Sequence, residues 1–465
     1  MSLENSTLIG RIAVYRPLLV TLVMATGAAA LTAHATTNVA QFFHPSSLVM
    51  LVAILCLVSL PVVLGAMAPR KRVLRALFAS GIVICALATI YGFDYFILDK
   101  DYTSWIITSA LAALFLVLFG FLWAGGPGCS VVAVMALPLG CAITFASLAE
   151  LNVQGAFEMR FVLAAMAMAP AVVIAIAAAF AKNFVEGHSG LVSAAQATRA
   201  AFTVAVFIAV SLTCFAAASA LLQGEVISSA VLAAIFAALS CAIPAVMIGG
   251  GALGLRKFSE QLAVNENRRQ FLFGEALKPL RNVFPASSAL AASAIIIVFS
   301  IVSAFESPTA LSGLEIIATF VAAMIAGITF VSLRTAFLTF ILMGTSALTQ
   351  VWIYSSFGAV LPDEGSRALA LVIGSISIVG LCVAWRDVRH PMRKAREVTT
   401  LALVDGVPMA VVTAFLSACV LVGAHHAGFF QDALPVVYYM GAIVVTSILF
   451  AIPVMTATGA LFGRT

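Results

Sequence analysis

The chain has 465 residues, of which 63% are apolar and only 9% charged, and its formal net charge is +5. A soluble domain is about 45–50% apolar and about 25% charged, so a soluble enzyme and a disordered chain are both excluded. Lipid must be the solvent for most of this sequence, and positive charge this dispersed argues against a nucleic-acid partner.

At the N-terminus, Arg11 and Arg16 precede an apolar stretch from Leu18 to Leu31, followed by Ala33-His34-Ala35. That outline fits a cleaved signal peptide or, equally, a signal-anchor helix. From there, apolar runs between polar breaks predict fourteen transmembrane helices. They lie near 17–35, 47–67, 74–97, 105–124, 129–149, 161–181, 200–222, 226–255, 284–304, 313–333, 335–355, 367–385, 407–427 and 433–460. At about 20 apolar residues per crossing they nearly fill the chain, which is expected to be an all-α polytopic membrane protein. The break at Gly125-Gly126-Pro127-Gly128 is a tight turn; it lacks the Lys-Ser/Thr end of a phosphate loop.

Charge sorts by side when the helices alternate from a cytoplasmic N-terminus. The inner segments then hold 21 of the 24 basic residues, leaving only Lys100, Arg160 and Arg367 outside. Eleven of the 19 acids fall outside. Basic loops resist translocation, so this asymmetry supports fourteen spans with both termini in the cytoplasm of a cell with an inner (plasma) membrane.

Two stretches read alike. Ala242-Ile243-Pro244-Ala245-Val246-Met247 leads to Gly251-Ala252-Leu253 and Arg256, while Ala451-Ile452-Pro453-Val454-Met455 leads to Gly459-Ala460-Leu461 and Arg464. Pro69-Arg70-Lys71-Arg72 similarly matches Leu277-Lys278-Pro279-Leu280-Arg281, each just before a helix. The predicted organisation is therefore two N-terminal helices (1–73), a six-helix repeat (74–256), a linker (257–282) and a second six-helix repeat (283–465). An even number of crossings per repeat makes the two copies parallel, a known transporter arrangement. Phe258, Leu262, Phe271, Leu272 and Leu277 give the linker an apolar stripe, as expected of an amphipathic helix on the inner membrane surface.

The last three helices of each copy, over 180–256 and 385–464, resemble the membrane domain of resistance-nodulation-division (RND/MmpL-like) transporters. The resemblance implies a shared membrane scaffold and a transport role. The chain departs from that family in two places. It has only 99–104 and 306–312 where the family carries large extracytoplasmic domains, and its helices 161–181 and 367–385 have no internal acid for a proton relay.

Ionisable groups within a membrane are costly and mark function by default. Asp94, between Phe93 and Tyr95, is a candidate cation or proton site, or else an interfacial charge beside Asp99 and Asp101. His425 and His426 offer titration near neutrality, but adjacent helix positions point about 100° apart and make a poor metal clamp. Thr345, Ser346 and Gln350 either line a polar path or bond neighbouring helices. Pro138, Pro170, Pro244 and Pro453 each break a helical hydrogen bond and are candidate openings to a cavity. Eight cysteines include no C-x-x-C pair, and no triad, haem pair or nucleotide loop is present, so neither a metal, a cofactor nor catalysis is expected.

The functional expectation is an integral membrane transporter or flippase for a lipid, lipid-linked glycan or other amphipathic molecule. The alternative is a non-transporting scaffold or assembly subunit of an envelope-biosynthesis complex. Membrane lipids, and in the second case envelope-biosynthesis proteins, are the expected partners.

Overall fold

A computed structural model describes residues 155–185, 190–253, 286–306, 311–388, 395–426 and 432–462. Among the described residues there are ten α-helices. They are α1 (Ala156–Met168), α2 (Pro170–Val185), α3 (Gly190–Gln223), α4 (Ile227–Leu253), α5 (Ala286–Glu306), α6 (Gly313–Thr329), α7 (Leu333–Ser356), α8 (Glu364–Val388), α9 (Ala395–His426) and α10 (Ala433–Phe462). Six described stretches are long and apolar enough to cross a membrane: Ala156–Phe180, Gln196–Gln223, Leu333–Ser356, Glu364–Val388, Glu397–Val422 and Ala433–Leu461. The five spans expected before residue 155, and the 257–282 linker, lie outside the described residues.

The chain divides into two compact units. Described residues of the first are 155–205 and 236–253; those of the second are 206–235 and 286–462. In the first unit, α1 is buried on all faces from Phe161 to Met168, as an apolar helix without a polar side should be. Its N-terminal turn stacks Phe157 edge-on against Phe161, with ring centroids 5.1 Å apart. The apolar span runs on through Ala169, whose backbone stays helical, to Phe180. Ala169 N–H donates to Ala165 O at 3.0 Å, and Pro170, which has no N–H to give, opens α2.

The second unit is a bundle of α5 to α10 around α8, which packs on α6, α7, α9 and α10. α8 is buried along nearly its whole length, from Ser366 to Trp385. The other helices are two-faced in the manner lipid demands. On α6 the buried positions are mostly small (Ala318, Thr319, Ala322, Ala323, Ala326), whereas Ile316, Phe320, Met324 and Ile328 form an exposed stripe at four-residue spacing. Small residues let helices approach closely, and large apolar ones cost nothing against acyl chains.

Sequence breaks set most helix ends. Ser312 caps α6, its Oγ accepting from Glu315 N–H at 3.2 Å while the Glu315 carboxylate accepts from Ser312 N–H at 2.9 Å. α6 ends at Thr329, four residues earlier than apolarity alone suggests, because Val331 turns the chain at φ 48° and Ser332 caps α7 through Thr335 N–H. The opposite difference appears in α9. Gly406-Val407-Pro408 reads as a start, yet the helix begins at Ala395 and runs through Pro408. A Cβ on Gly406 would lie 2.7 Å from Leu381 Cδ1 and 3.1 Å from Leu381 Cα. The bare glycine therefore brings α9 against the α8 backbone, and this packing holds the helix through its breakers.

Candidate functional site

Three helices of the second unit, α6, α8 and α10, begin at the same end of the bundle, and their first two turns bring Glu315, Arg367 and Tyr439 together. Glu315 and Tyr439 are 0% exposed and Arg367 is 5% exposed. Tyr439 Oη donates to Glu315 Oε1 at 3.0 Å, and Arg367 Nη1 lies 3.4 Å from Glu315 Oε2. The same Oε2 accepts from Ser312 N–H, so one carboxylate both caps α6 and ties it to α8 and α10. Local sequence supplies each position. The cap fixes the rotation of Glu315, Asp363 Oδ2 caps α8 through Ser366 N–H at 3.0 Å, and Arg367 follows one residue later. Tyr354, near the end of α7, stacks at a tilt on Tyr439, centroids 6.1 Å apart.

At the opposite end of the bundle, Arg386 Nη1 donates to Phe330 O, at the C-cap of α6, at 2.7 Å, and its guanidinium lies 5.8 Å from the Phe330 ring centroid. Arg386 also pairs with the neighbouring Asp387. At 1.5 Å rise per residue, Arg367 and Arg386 are separated along α8 by about 28 Å, close to the thickness of a bilayer core. The two ends of α6 and α8 are thus pinned by arginines spaced about one bilayer core apart.

Between these levels runs a seam of neutral polar groups where α5, α7 and α10 meet. Ser346 and Ser447 hydroxyls lie 2.8 Å apart. Gln350 Nε2 donates to Thr446 Oγ1 at 2.7 Å and to Ala442 O at 3.3 Å. Ser300 lies 3.4 Å from Thr349 Oγ1 and donates to Thr345 O at 3.5 Å. Thr345 and Gln350, singled out from sequence, are therefore both buried in this seam. Hydrogen bonds between membrane helices contribute about 0.6 kcal/mol on average and at most about 1.7. Ser346→Ala should cost about the former and Gln350→Ala should approach the latter, as thermal denaturation in detergent would measure.

The remaining sequence candidates are dispersed. His425 is half-buried near the end of α9 and His426 is that helix's last residue. Pro170 opens α2, Pro244 lies within α4, and Pro453 lies buried within α10. Asp94 and Pro138 lie outside the described residues. Sequence reading missed the cluster itself. Glu315 and Arg367 were legible as charges at helix ends, and Ser312-x-x-Glu315 is a capping signature. Tyr439, 124 residues from Glu315, carried no signal that it would complete the site.

Long apolar helices with small residues inside, large ones outside and charge at two levels define a polytopic α-helical membrane protein. No protein-family model matches the chain, and no curated protein matches it. Among solved structures it is similar to SecDF of Thermus thermophilus, a translocon-associated membrane protein, with TM-score 0.51 and 12% identity over 81% of this chain. The chain spans 64% of that protein's length. A SecDF structure in a super-membrane-facing form gives TM-score 0.44 and 12% identity over 75% of this chain and 61% of the other. At such identity the first likeness speaks to fold alone, and it supports a SecDF-like membrane fold without singling out the MmpL group.

Proposed function

We propose that the chain is a transporter or flippase that moves an amphipathic, lipid-like molecule across the inner membrane, with Glu315, Arg367 and Tyr439 as the cluster that holds its closed form. The observation that carries this reading is the cluster's complete burial. A charged pair withdrawn from water is costly, and hydrophobic residues would close the same helix ends more cheaply. Through its contacts with Ser312, Tyr439 and Arg367, the Glu315 carboxylate holds the starts of α6, α8 and α10 together. Breaking its contact with Arg367 would release α8 from the other two. The SecDF-like fold supports a role connected with membrane transport, and the 2 + 6 + 6 arrangement of helices remains the layout we favour.

A lipid-like cargo suits the interior. Its polar seam is neutral and already hydrogen-bonded within itself, which leaves little to grip a sugar or a free ion, while an acyl chain can stay in the bilayer. Orientation follows from charge. Arg334, Arg386, Arg389, Arg393, Lys394 and Arg396 gather at or beside one end in the sequence, against Glu306, Asp363, Glu364 and Asp432 at the other. The basic end faces the cytoplasm by the positive-inside rule, so the Glu315 cluster faces outward.

A second reading, the scaffold subunit, is favoured by one observation: the similar solved protein is itself described as translocon-associated. Deleting the gene and assaying lipids leaflet by leaflet separates the two. A transporter predicts that one lipid accumulates in the inner leaflet. A scaffold predicts an unchanged lipid distribution and loss of a partner protein's stability.

A further inference from the structure

Glu315 and Arg367 are unequally satisfied. Glu315 accepts a hydrogen bond on each oxygen, from Tyr439 Oη and Ser312 N–H. Arg367, with five N–H donors on a planar fork, has a side chain 6% exposed, and its Nε and Nη1 complete no hydrogen bond among the described residues. Its contact with the carboxylate is a 3.4 Å ionic approach. The carboxylate would remain well held if the guanidinium turned elsewhere, whereas the guanidinium has donors in reserve.

We propose that Arg367 is the docking group for the phosphate of a lipid headgroup, and that Glu315 is the internal competitor occupying it in the closed form. This rests on the lipid-cargo reading above and adds the chemistry of the head. A guanidinium fork matches two phosphate oxygens as it matches a carboxylate, and Arg is the side chain suited to such bidentate recognition. The depth also fits. Arg367 stands about 28 Å along α8 from Arg386, at the level of headgroups rather than of acyl chains. Tyr354 and Tyr439 beside it are the aromatics that favour that level. A track for the tail begins at the same place. Ile316 follows Glu315 directly and starts the exposed α6 stripe of Ile316, Phe320, Met324 and Ile328, which descends along α6 into the bilayer. Once Glu315 releases Arg367, a phospholipid can lay its chain on this stripe while its phosphate takes the carboxylate's place.

Phosphate and Glu315 then compete for the same guanidinium. The test is equilibrium binding to the full-length protein in lipid-free detergent micelles, titrated with short-chain phosphatidylglycerol. Parallel titrations use diacylglycerol of the same chain length, which lacks the phosphate, and inorganic phosphate, which lacks the tail. Phosphatidylglycerol should bind at least tenfold more tightly than either. Glu315→Gln, which removes the competing charge, should tighten its binding a further tenfold. Arg367→Gln should abolish the preference over diacylglycerol. The Glu315→Gln/Arg367→Gln double variant, with no charge left buried, controls for folding and should also show no preference. Unchanged or weaker phospholipid binding by Glu315→Gln would overturn the proposal, as would a retained preference in the double variant. Equal affinity for inorganic phosphate would overturn the lipid assignment. Since binding requires neither movement across the bilayer nor a gradient, its loss would leave transport of a different cargo standing, and a failure of transport would leave the binding result intact.

Discussion

Arg367→Met alone should lower the stability of the protein in detergent by about 3–5 kcal/mol, the penalty for stranding the other member of a buried ion pair. Glu315 would keep its bonds from Tyr439 and Ser312 but lose the cation held against it. Glu315→Leu should cost a similar amount, because it strands Arg367 and removes half the α6 capping box. The double variant Glu315→Leu/Arg367→Met should recover most of the loss, since two apolar side chains need no compensation at a buried site. Thermal and denaturant unfolding of the four proteins gives the coupling energy directly. If the single losses merely add in the double variant, the two side chains are not acting as a pair.

The second large effect is expected at Gly406, where α9 crosses α8. A side chain there would meet Leu381 Cδ1 at 2.7 Å, a clash that a rotamer change can relieve, but its 3.1 Å approach to Leu381 Cα is to backbone. Gly406→Ala should therefore cost about 1–2 kcal/mol despite the better helix propensity of alanine, and Gly406→Leu about 3 kcal/mol or more. Leu381→Ala, harmful alone, should partly rescue Gly406→Ala. The same unfolding measurements test this, and a neutral Gly406→Leu would mean that α8 and α9 do not pack through this glycine.

How much of the fold is readable in the sequence depends on the distance over which each feature is encoded. The spans from residue 161 onward are legible because each is an apolar run closed by local polar or turn residues. Most ends fall within a few residues of expectation. Two starts are badly misplaced: α3 begins at Gly190 rather than near 200, and α9 begins at Ala395 where Gly406 and Pro408 read as breakers. What keeps the helix intact there is contact with Leu381 on another helix, which no local pattern displays. The site divides in the same way. Ser312 and Glu315 form a local capping box, and Asp363, Glu364 and Arg367 stand visibly at a helix entrance. Sequence places them as charges at the membrane ends, but it does not reveal their burial. Burial arises because three helices start at one level and a tyrosine from the last of them closes over the first. Likewise Thr345, Ser346 and Gln350 announce a polar side of α7, whereas their partners Ser300, Thr446 and Ser447 follow only from the packing of α5 and α10.

The measurement that bears most directly on the proposed function is lipid movement in proteoliposomes carrying the full chain and a fluorescent phospholipid. Dithionite quenching would report the outer leaflet over time. Wild-type protein should redistribute the lipid at least tenfold faster than protein-free liposomes. Glu315→Gln should be at least tenfold slower than wild type. A wild-type rate no greater than that of protein-free liposomes would contradict transport, and a wild-type rate in Glu315→Gln would contradict the role given to the cluster.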